Sequence, residues 1–228
     1  MKKKTMNTLI IIIAILLVIW FLYSWLSVRA IEEPKYDVIT TTQDYEIREY
    51  TSYIIAETTV NGAKDREEAA RKGFPIVAGY IFGDNTSKDK IAMTAPVNTE
   101  AEDSEKIDMT APVNTEKIAM TVPVNTEQEE AEGSYKISFV MPSEYTLETL
   151  PTPNNSRVTL KEIPSRKIAV KRFTWSASEA KVKKQEKALL SDLNRDGIET
   201  LGDINVARYN PPWTIPFMLR NEVQIEIK

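Results

Sequence analysis

Two stretches of sequence decide the fold, YEIREYTSYIIAETTV at residues 45–60 and VTLKEIPSRKIAVKRFTW at residues 158–175. Each contains two runs that alternate apolar and polar residues or are rich in β-branched and aromatic residues. A two-residue turn separates the runs, Thr51–Ser52 in the first stretch and Pro164–Ser165 in the second. Such runs around a turn predict a pair of β-strands. Each stretch is therefore predicted to contribute two strands.

The two stretches are related to each other. A shift of 113 residues places Ser52 on Ser165 and the pair Ile55-Ala56 on Ile168-Ala169. A helix is predicted after each stretch, because Asp65 with Glu68 in one case and Ser176 with Glu179 in the other have capping-box spacing. Apolar residues then recur at helical intervals, namely Ala70, Phe74, Val77 and Ile81 in the first helix and Val182, Leu189 and Leu193 in the second.

Three further features complete the prediction of the fold. Pro75 is expected to kink or shorten the first helix, and Gly197 suits the end of the second. Strands are predicted at residues 135–141, 204–210 and 222–228. The chain is therefore predicted to be α+β, with two pseudo-symmetric strand–strand–helix–strand units, antiparallel sheets and the helices on one side. The cleft between the units is the expected place for a ligand.

An uncharged apolar run from residue 5 to residue 28 follows Lys2, Lys3 and Lys4. Its length is sufficient to cross a bilayer core of about 30 Å. The lysines predict a single-pass membrane protein with a cytoplasmic N-terminus and an extracytoplasmic domain. A cleavable signal peptide is the alternative, but the apolar run exceeds the usual length of such a region. We therefore expect an anchor at residues 1–30, in the lipid bilayer through residues 5–28, and a domain at residues 31–228.

The composition excludes several classes of function. The 228 residues include no cysteine and no histidine, so thiolate nucleophiles, Cys/His zinc sites, serine–histidine triads and histidine-ligated haem are excluded. Without the three N-terminal lysines the chain has 26 basic and 33 acidic residues, a net charge of −7. That charge argues against nucleic-acid binding and against an anionic membrane surface. Without a carboxylate pair suited to acid–base work or a phosphate loop, no enzymatic activity is predicted.

Three near-identical segments lie between the two units. They are KIAMTAPVNTE at residues 90–100, KIDMTAPVNTE at 106–116 and KIAMTVPVNTE at 117–127. Each copy is expected to form a short edge strand before its proline, and at least one copy is expected to be surplus loop. Glutamates follow the third copy. Residues 98–134 are therefore predicted to be a repeat-containing acidic loop.

Several long motifs resemble the SOUL haem-binding protein family. They are GYIFG at residues 79–83 with KIAMTAPV after it, SFVMPSEYTLETLP at 138–151 and ARYNPPWTIPFMLRNEV at 207–223. The resemblance covers the chain from about Pro34 to the C-terminus in the family's order. It implies the family's fold, two units of a four-stranded antiparallel sheet with a helix, as in effector-binding domains of the gyrase-inhibitor type. The N-terminal anchor and the expanded repeat region depart from the family's pattern.

The resemblance also implies a hydrophobic planar ligand, haem or another porphyrin, in an apolar cleft beside the first helix. The matching positions are Arg71 for a propionate and Phe74 for the apolar wall. Val77 and Trp213 are further candidates for the ligand site. Two lysine positions of some relatives fall on Gly79 and Thr214 here, so propionate pairing is expected to be weaker, and no axial histidine is available.

Other side chains have both a ligand role and an ordinary one. An arginine on a surface helix, such as Arg71, is more often simply solvated. The ordinary role of Trp213 is to hold its own loop in place by packing. Methionines 93, 109, 120 and 141 could bind haem iron but are more often core residues. Tyrosines 45, 50, 53 and 209 could supply phenolates, yet ordinary sheet packing is the default. We expect no metal site of the chain's own.

The preferred function is a membrane-anchored protein that binds a tetrapyrrole in an apolar cleft without a histidine ligand. The alternative is an envelope domain without a cofactor that meets an unknown protein partner through the repeats and the acidic loop. A weaker third option is an enzymatic role on a tetrapyrrole.

Overall fold

The computed structural model describes residues 2–26, 31–87, 116–129, 133–211 and 213–228. In these ranges the chain forms three α-helices, α1 (Lys2–Leu26), α2 (Arg66–Ile81) and α3 (Glu179–Arg195). The strands are β1 (Tyr36–Thr41), β2 (Glu46–Tyr50), β3 (Tyr53–Val60), β4 (Asn85–Thr86), β5 (Val124–Gln128), β6 (Tyr135–Val140), β7 (Thr152–Pro153), β8 (Thr159–Ile163), β9 (Arg166–Phe173), β10 (Thr200–Arg208) and β11 (Asn221–Ile227).

Nine of these strands form one curled antiparallel sheet in the order β1-β2-β9-β11-β10-β5-β6-β3-β8, and β4 pairs with β7 separately. The predicted α+β class, with helices packed on an antiparallel sheet, is confirmed. The strands predicted around both two-residue turns are present as β2 with β3 and β8 with β9. Along each strand, apolar residues that face the helices alternate with residues on the opposite face of the sheet, as the two-residue period of a strand requires. We call this opposite face the inner face.

Residues 46–57 and 159–170 pair with each other as one long antiparallel ribbon. Glu46 lies opposite Val170 at one end of this ribbon, and Glu57 lies opposite Thr159 at the other. The register is the same on both sides of the turns. Strands β2 and β8 therefore each pair with a strand from the other half of the chain.

Corresponding elements of the two halves are separated by a constant number of residues. β2 and β8 begin at Glu46 and Thr159, and α2 and α3 begin at Arg66 and Glu179, so both pairs are 113 residues apart. α2 packs on β3 and β6, whereas α3 packs on β9, β10 and β11. Arg66 joins the two helices, with guanidinium nitrogens 3.2 Å from a Glu179 oxygen and 2.7 Å from a Glu186 oxygen.

The helix boundaries agree in part with the capping patterns. The Asp65 side chain accepts a hydrogen bond from the Glu68 backbone N–H at 2.8 Å, so the predicted start of α2 is confirmed. The helix continues through Pro75 to Ile81. α3 begins later than predicted, because its N-cap is Ser178, which makes no side-chain capping bond. Its end agrees with the prediction, since Gly197 follows the last turn with a φ of 71°.

The third repeat copy enters the sheet, in a way that differs from the prediction. Its strand, β5, begins after Pro123 and lies in the middle of the sheet between β10 and β6, not at an edge. Before the proline, Ile118 is buried and its backbone N–H donates to the Ile81 carbonyl at 2.9 Å. Part of the predicted acidic loop is therefore a central strand. The first copy, and the second copy up to residue 115, lie outside the described residues.

One helix in the described ranges is long and apolar enough to cross a membrane, the segment Met6–Leu26 of α1. Its large apolar side chains are exposed on all sides of the helix, which is typical of a lipid-facing segment. The chain that follows is fixed to the domain at Glu32 and Glu33. The Glu32 carbonyl accepts from Val122 N–H at 3.0 Å, and the Glu33 carboxylate binds Arg220 at 2.8 Å.

Candidate functional site

The outer face of α2 presents apolar rings to solvent. Phe74 is 41% exposed and Phe82, which caps the C-terminal end of the helix, is 55% exposed. Pro75 is also exposed and Gly79 is half-buried. Neither residue has a long side chain, so the stripe of helix surface from residue 74 to residue 82 is shallow. This stripe, which we call the α2 platform, is an open apolar surface on an ordered helix.

Phe74 is held in place from beneath. Its ring centroid lies 5.2 Å from that of Phe139 on β6, with a tilt of 56° between the planes. Phe139 is fully buried in the core. Such tilted aromatic pairs are favourable beyond the area that they bury. Phe74 therefore has one edge fixed against the core while the remainder of its ring faces solvent.

Arg71 lies one helical turn before Phe74. Its side chain is 76% exposed, and its ion-pair contact within the described residues is a long one, 3.9 Å to Glu68. Glu68 has closer partners, the Lys64 backbone N–H and the Lys72 ammonium, both at 3.0 Å. These contacts lower the pKa of the Glu68 carboxyl, the hydrogen bond from Lys64 contributing most. The guanidinium of Arg71 is therefore accessible to a second carboxylate.

The other two sequence-predicted site residues are not part of the α2 platform. Val77 is fully buried in a hydrophobic cluster with Ala56 and Phe139, so it presents no surface to a ligand. Trp213 has an exposed side chain, but it lies beside α1, where its backbone carbonyl accepts a hydrogen bond from the Trp20 indole at 3.0 Å. The structure therefore keeps the exposed side chains of Arg71 and Phe74 together on α2, buries Val77 on the core side of the same helix and places Trp213 beside α1.

The donor groups do not favour binding of an iron atom. Within the described ranges no three Asp, Glu, His or Cys residues are placed to hold a metal ion. Met141 is buried in the core. Tyr45 and Tyr209 use their hydroxyls as donors to Asp196 and Glu222, both at 2.7 Å. The α2 platform itself presents exposed apolar rings beside the guanidinium of Arg71.

A charged network that the sequence analysis missed lies on the inner face of the sheet. Glu222 on β11 is fully buried, and its oxygens lie 3.0 Å from the guanidinium nitrogens of both Arg48 and Arg220. It also accepts hydrogen bonds from the Tyr209 hydroxyl at 2.7 Å and the Gln224 amide at 2.9 Å. Two arginines and two neutral donors therefore satisfy one buried carboxylate.

The same inner face encloses a polar cavity of about 200 Å³. Cationic and anionic side chains both line it, namely Lys136, Lys161, Arg166, Glu57, Glu127, Asp203 and Glu226. Burial raises the pKa of Glu127, an effect that Lys136 opposes. The cavity is smaller than the pockets of about 300–1,000 Å³ that hold drug-sized ligands. Its size and polarity do not suit a tetrapyrrole.

A larger cavity of about 430 Å³ lies where the segment after α1 meets the loop that follows β6. Four carboxylates line it, those of Glu32, Glu33, Glu148 and Glu162, with Lys35 among them. Such a lining disfavours a ligand that itself carries carboxylates. The α2 platform differs from this cavity, because its charged group is an accessible cation, the guanidinium of Arg71.

Comparisons with known proteins identify two mammalian relatives. The chain is 27% identical to "Heme-binding protein 2" of Homo sapiens over 175 residues, which cover 75% of this chain and 74% of that protein. The protein of the same name from Mus musculus is also 27% identical, over 173 residues. Both relatives carry the description of a binding protein.

Solved structures show where the fold occurs. The "EcmrR C-terminal domain" superposes with a TM-score of 0.56 at 7% sequence identity, covering 85% of this chain and 98% of that one. An uncharacterized conserved protein from Listeria innocua has a TM-score of 0.52 at 10% identity, covering 83% and 94% of the two chains. These identities are so low that the likeness concerns the fold alone.

The family profile described as "SOUL heme-binding protein" matches residues 31–110 and again residues 98–226. The two matches together cover residues 31–226. They overlap at residues 98–110, which run from the end of the first repeat copy into the second, as an expansion of that region would produce. The chain belongs to the SOUL heme-binding protein family.

Proposed function

We propose that this chain is a membrane-anchored binding protein that holds haem or another tetrapyrrole on the α2 platform, without a histidine ligand and without enzymatic activity. The observation that carries the proposal is the pairing of an exposed, core-supported ring at Phe74 with an accessible guanidinium at Arg71. Family membership and the names of the mammalian relatives support this class of ligand.

The two residues have separate tasks in this proposal. Phe74 stacks on the flat face of the macrocycle, because aromatic rings gain from offset contact with another π-system. Arg71 forms a charge-assisted, bidentate pair with a propionate. Haem, when bound, would bring the redox chemistry of its iron. The described residues contribute contacts to the macrocycle and its carboxylates, not to that iron.

The location of the domain follows from α1. The lysines at positions 2, 3 and 4 precede the apolar helix, and Glu32 and Glu33 follow it. The excess of positive charge before the helix favours a cytoplasmic N-terminus and an extracytoplasmic domain. Without these lysines the chain has a net charge of −7, which disfavours adhesion of the domain to an anionic lipid surface.

We further propose that the two halves are related by a pseudo-twofold axis, as in gyrase-inhibitor-type domains. The constant 113-residue separation and the single register of the long ribbon support this relation. The halves meet a second time where β5 pairs with β10, with Thr126 opposite Val206. An axis through both contacts would exchange α2 with α3.

Titration of the full chain in detergent micelles tests the proposed ligand. Haemin and protoporphyrin IX are expected to bind with affinities within about threefold of each other, because the macrocycle rather than the iron is recognised. The shift of the Soret band and the quenching of ligand fluorescence measure the two affinities. Phe74→Ala and Arg71→Gln are each expected to weaken binding by about tenfold, roughly 1.4 kcal/mol.

Phe217→Ala and Arg157→Gln are the matched controls, since both replace exposed side chains of the same type that are not part of α2. Unchanged affinity in these controls is expected. A much tighter complex with haemin than with protoporphyrin IX would show that iron is ligated and would contradict histidine-free recognition. If neither ligand binds, the alternative of a cofactor-free interaction domain is favoured.

A further inference from the structure

The loop between β10 and β11 contacts α1 well before that helix ends. The Trp20 indole donates to the Trp213 carbonyl at 3.0 Å, and the Ile215 backbone N–H donates to the Ser24 hydroxyl at 3.4 Å. Positions 20 and 24 are one helical turn apart, so the loop lies along one face of the helix. Ser24 is 1% exposed because the loop covers it.

The position of this contact determines its depth in a bilayer. The apolar span of α1 ends at Leu26. At 1.5 Å per residue, Trp20 lies about 9 Å before that end. If α1 crosses the membrane, as the proposed function requires, the backbone of Trp213 lies at the level of the last two turns of the span. A bilayer that accommodates Met6–Leu26 therefore also surrounds the loop.

The composition of the loop suits that environment. Residues 209–219, YNPPWTIPFML, contain no charged side chain. Trp213 is 55% exposed and Phe217 is 53% exposed. Trp175 is equally exposed and is attached to the loop, since its backbone N–H donates to the Pro216 carbonyl at 3.0 Å. Three large aromatic side chains therefore face outward beside the end of α1, as in the aromatic belts of membrane interfaces.

We propose that residues 210–211 and 213–219, together with Trp175, form a second membrane contact, which lies in the interfacial layer of the bilayer and fixes the orientation of the domain. The occupant of this surface is the lipid headgroup and upper acyl region, at a depth of about 5–10 Å as in interfacial helices. The base of the loop is rigid, because Arg220 is bound to both Glu33 and Glu222. The proposal rests on the membrane anchoring proposed above, but not on the tetrapyrrole.

Site-specific labelling of the full chain in phosphatidylcholine vesicles tests this contact. The chain has no native cysteine, so Trp213→Cys, Phe217→Cys and Trp175→Cys each give one site for an environment-sensitive fluorophore. Trp213 contacts α1 through its backbone carbonyl, so this replacement retains that hydrogen bond. Ile13→Cys in α1 and Lys187→Cys on the exposed side of α3 are the two references. Thermal unfolding establishes that each variant is folded.

Lipids that carry a quencher near the headgroup are expected to quench the labels at 213, 217 and 175 at least about twofold more than the label at 187. The label at 13 is expected to be quenched best by lipids with the quencher deep in the acyl chain. If the label at 13 is in the bilayer while those at 213 and 217 behave like the one at 187, the second contact is wrong and the anchor stands. If the label at 13 also behaves like the one at 187, both proposals are overturned.

Discussion

Glu222 is the most completely buried charge in the described part of the sheet, and its partners explain how it is tolerated. Burial raises the pKa of its carboxyl, but Arg220 and Arg48, with hydrogen bonds from Tyr209 and Gln224, more than offset this, so the pKa lies below its ordinary value of 4.5. The side chain of Arg48 is itself only 4% exposed. The arginines therefore depend on the carboxylate as much as it depends on them.

Glu222→Gln is expected to lower the free energy of unfolding by about 3 kcal/mol, because it removes the buried counter-charge that two guanidinium groups share. Arg48 and Arg220 each retain one partly exposed carboxylate partner, Glu46 and Glu33 respectively. Glu226→Gln is the matched control on the same strand. Its ion pair with Arg166 is partly exposed on both sides, so a loss below about 1 kcal/mol is expected. Denaturant unfolding measures both. Equal losses in the two variants would contradict a structural role for the inner-face network.

The pH dependence of the same group provides a second measurement. Since the pKa of Glu222 is lower in the folded chain than in the unfolded chain, the unfolded chain binds more protons in the interval between the two values. The stabilising contribution of Glu222 is therefore complete above about pH 4.5 and is lost as the pH falls through the folded pKa. The stability difference between the wild-type chain and Glu222→Gln is expected to shrink in this acidic range.

At the scale of elements, the approach of α2 to the sheet depends on one glycine. A Cβ atom at Gly73 would lie 2.5 Å from Cγ1 of Ile137 and 3.0 Å from Cγ2 of Val60. The helix therefore lies closer to β6 than any larger residue at position 73 allows. Gly79, in the same helix, has room for a methyl group, since the nearest atom to its Cβ position is 3.9 Å away, an ordinary van der Waals distance.

These two glycines give opposite predictions for the same substitution. Gly73→Ala is expected to destabilise the chain by about 1–2 kcal/mol, because overpacking exceeds the gain in helix propensity. Gly79→Ala is expected to stabilise it by up to about 1 kcal/mol, because propensity acts alone. Thermal unfolding distinguishes the two. A stabilising Gly73→Ala would mean that α2 can move away from β6 at little cost.

The strands of the long ribbon could be predicted from the sequence because their signal is local. Alternation and β-branched residues mark residues 46–60, and the 113-residue shift predicts the same elements in the second half. The position of β5 could not be predicted in this way. Pro123 argued for an edge, but a proline just before a strand removes no donor from the ladder, so the strand that follows it occupies the middle of the sheet.

The candidate site was only partly predictable for a related reason. Helical spacing places Phe74 and Val77 on neighbouring positions, and either could face the core or a ligand. Packing against Phe139 decides between them, since Val77 is buried and Phe74 is not. On β2, alternating charged residues predict a solvent-facing side. The curl of the sheet instead buries Arg48, and no local pattern signals that curl.

For the molecule as a whole, the repeat region poses the question of which copy the sheet requires. The third copy supplies β5. The side-chain amide of Asn85 holds Glu116, the residue before this copy, through hydrogen bonds with the Glu116 backbone at 2.8 and 2.9 Å. Deletion of residues 106–116 would join Glu105 to Lys117, so a glutamate would again precede the third copy. Every residue of β5 would be retained.

Deletion of residues 106–116 is therefore expected to change the free energy of unfolding by less than about 0.5 kcal/mol. Deletion of residues 117–127 is the control of equal length, in which the second copy takes the place of the third. It puts an alanine at the buried position of Val122 and an aspartate at the exposed position of Ala119. A loss of about 1–3 kcal/mol is expected from the smaller buried side chain. Complete unfolding after the first deletion would show that the second copy is structural.

The strand exchange between the halves has a consequence for the order of folding. Tyr53 pairs with Ile163, so the ribbon joins residues more than a hundred positions apart. Before contacts of such long range can form, the chain must close a long loop, which costs conformational entropy. This requirement slows folding. The ribbon cannot close until synthesis has passed Phe173, the end of β9. α1 is synthesised well before that point. The apolar helix must therefore be buried in an apolar environment before the sheet has formed.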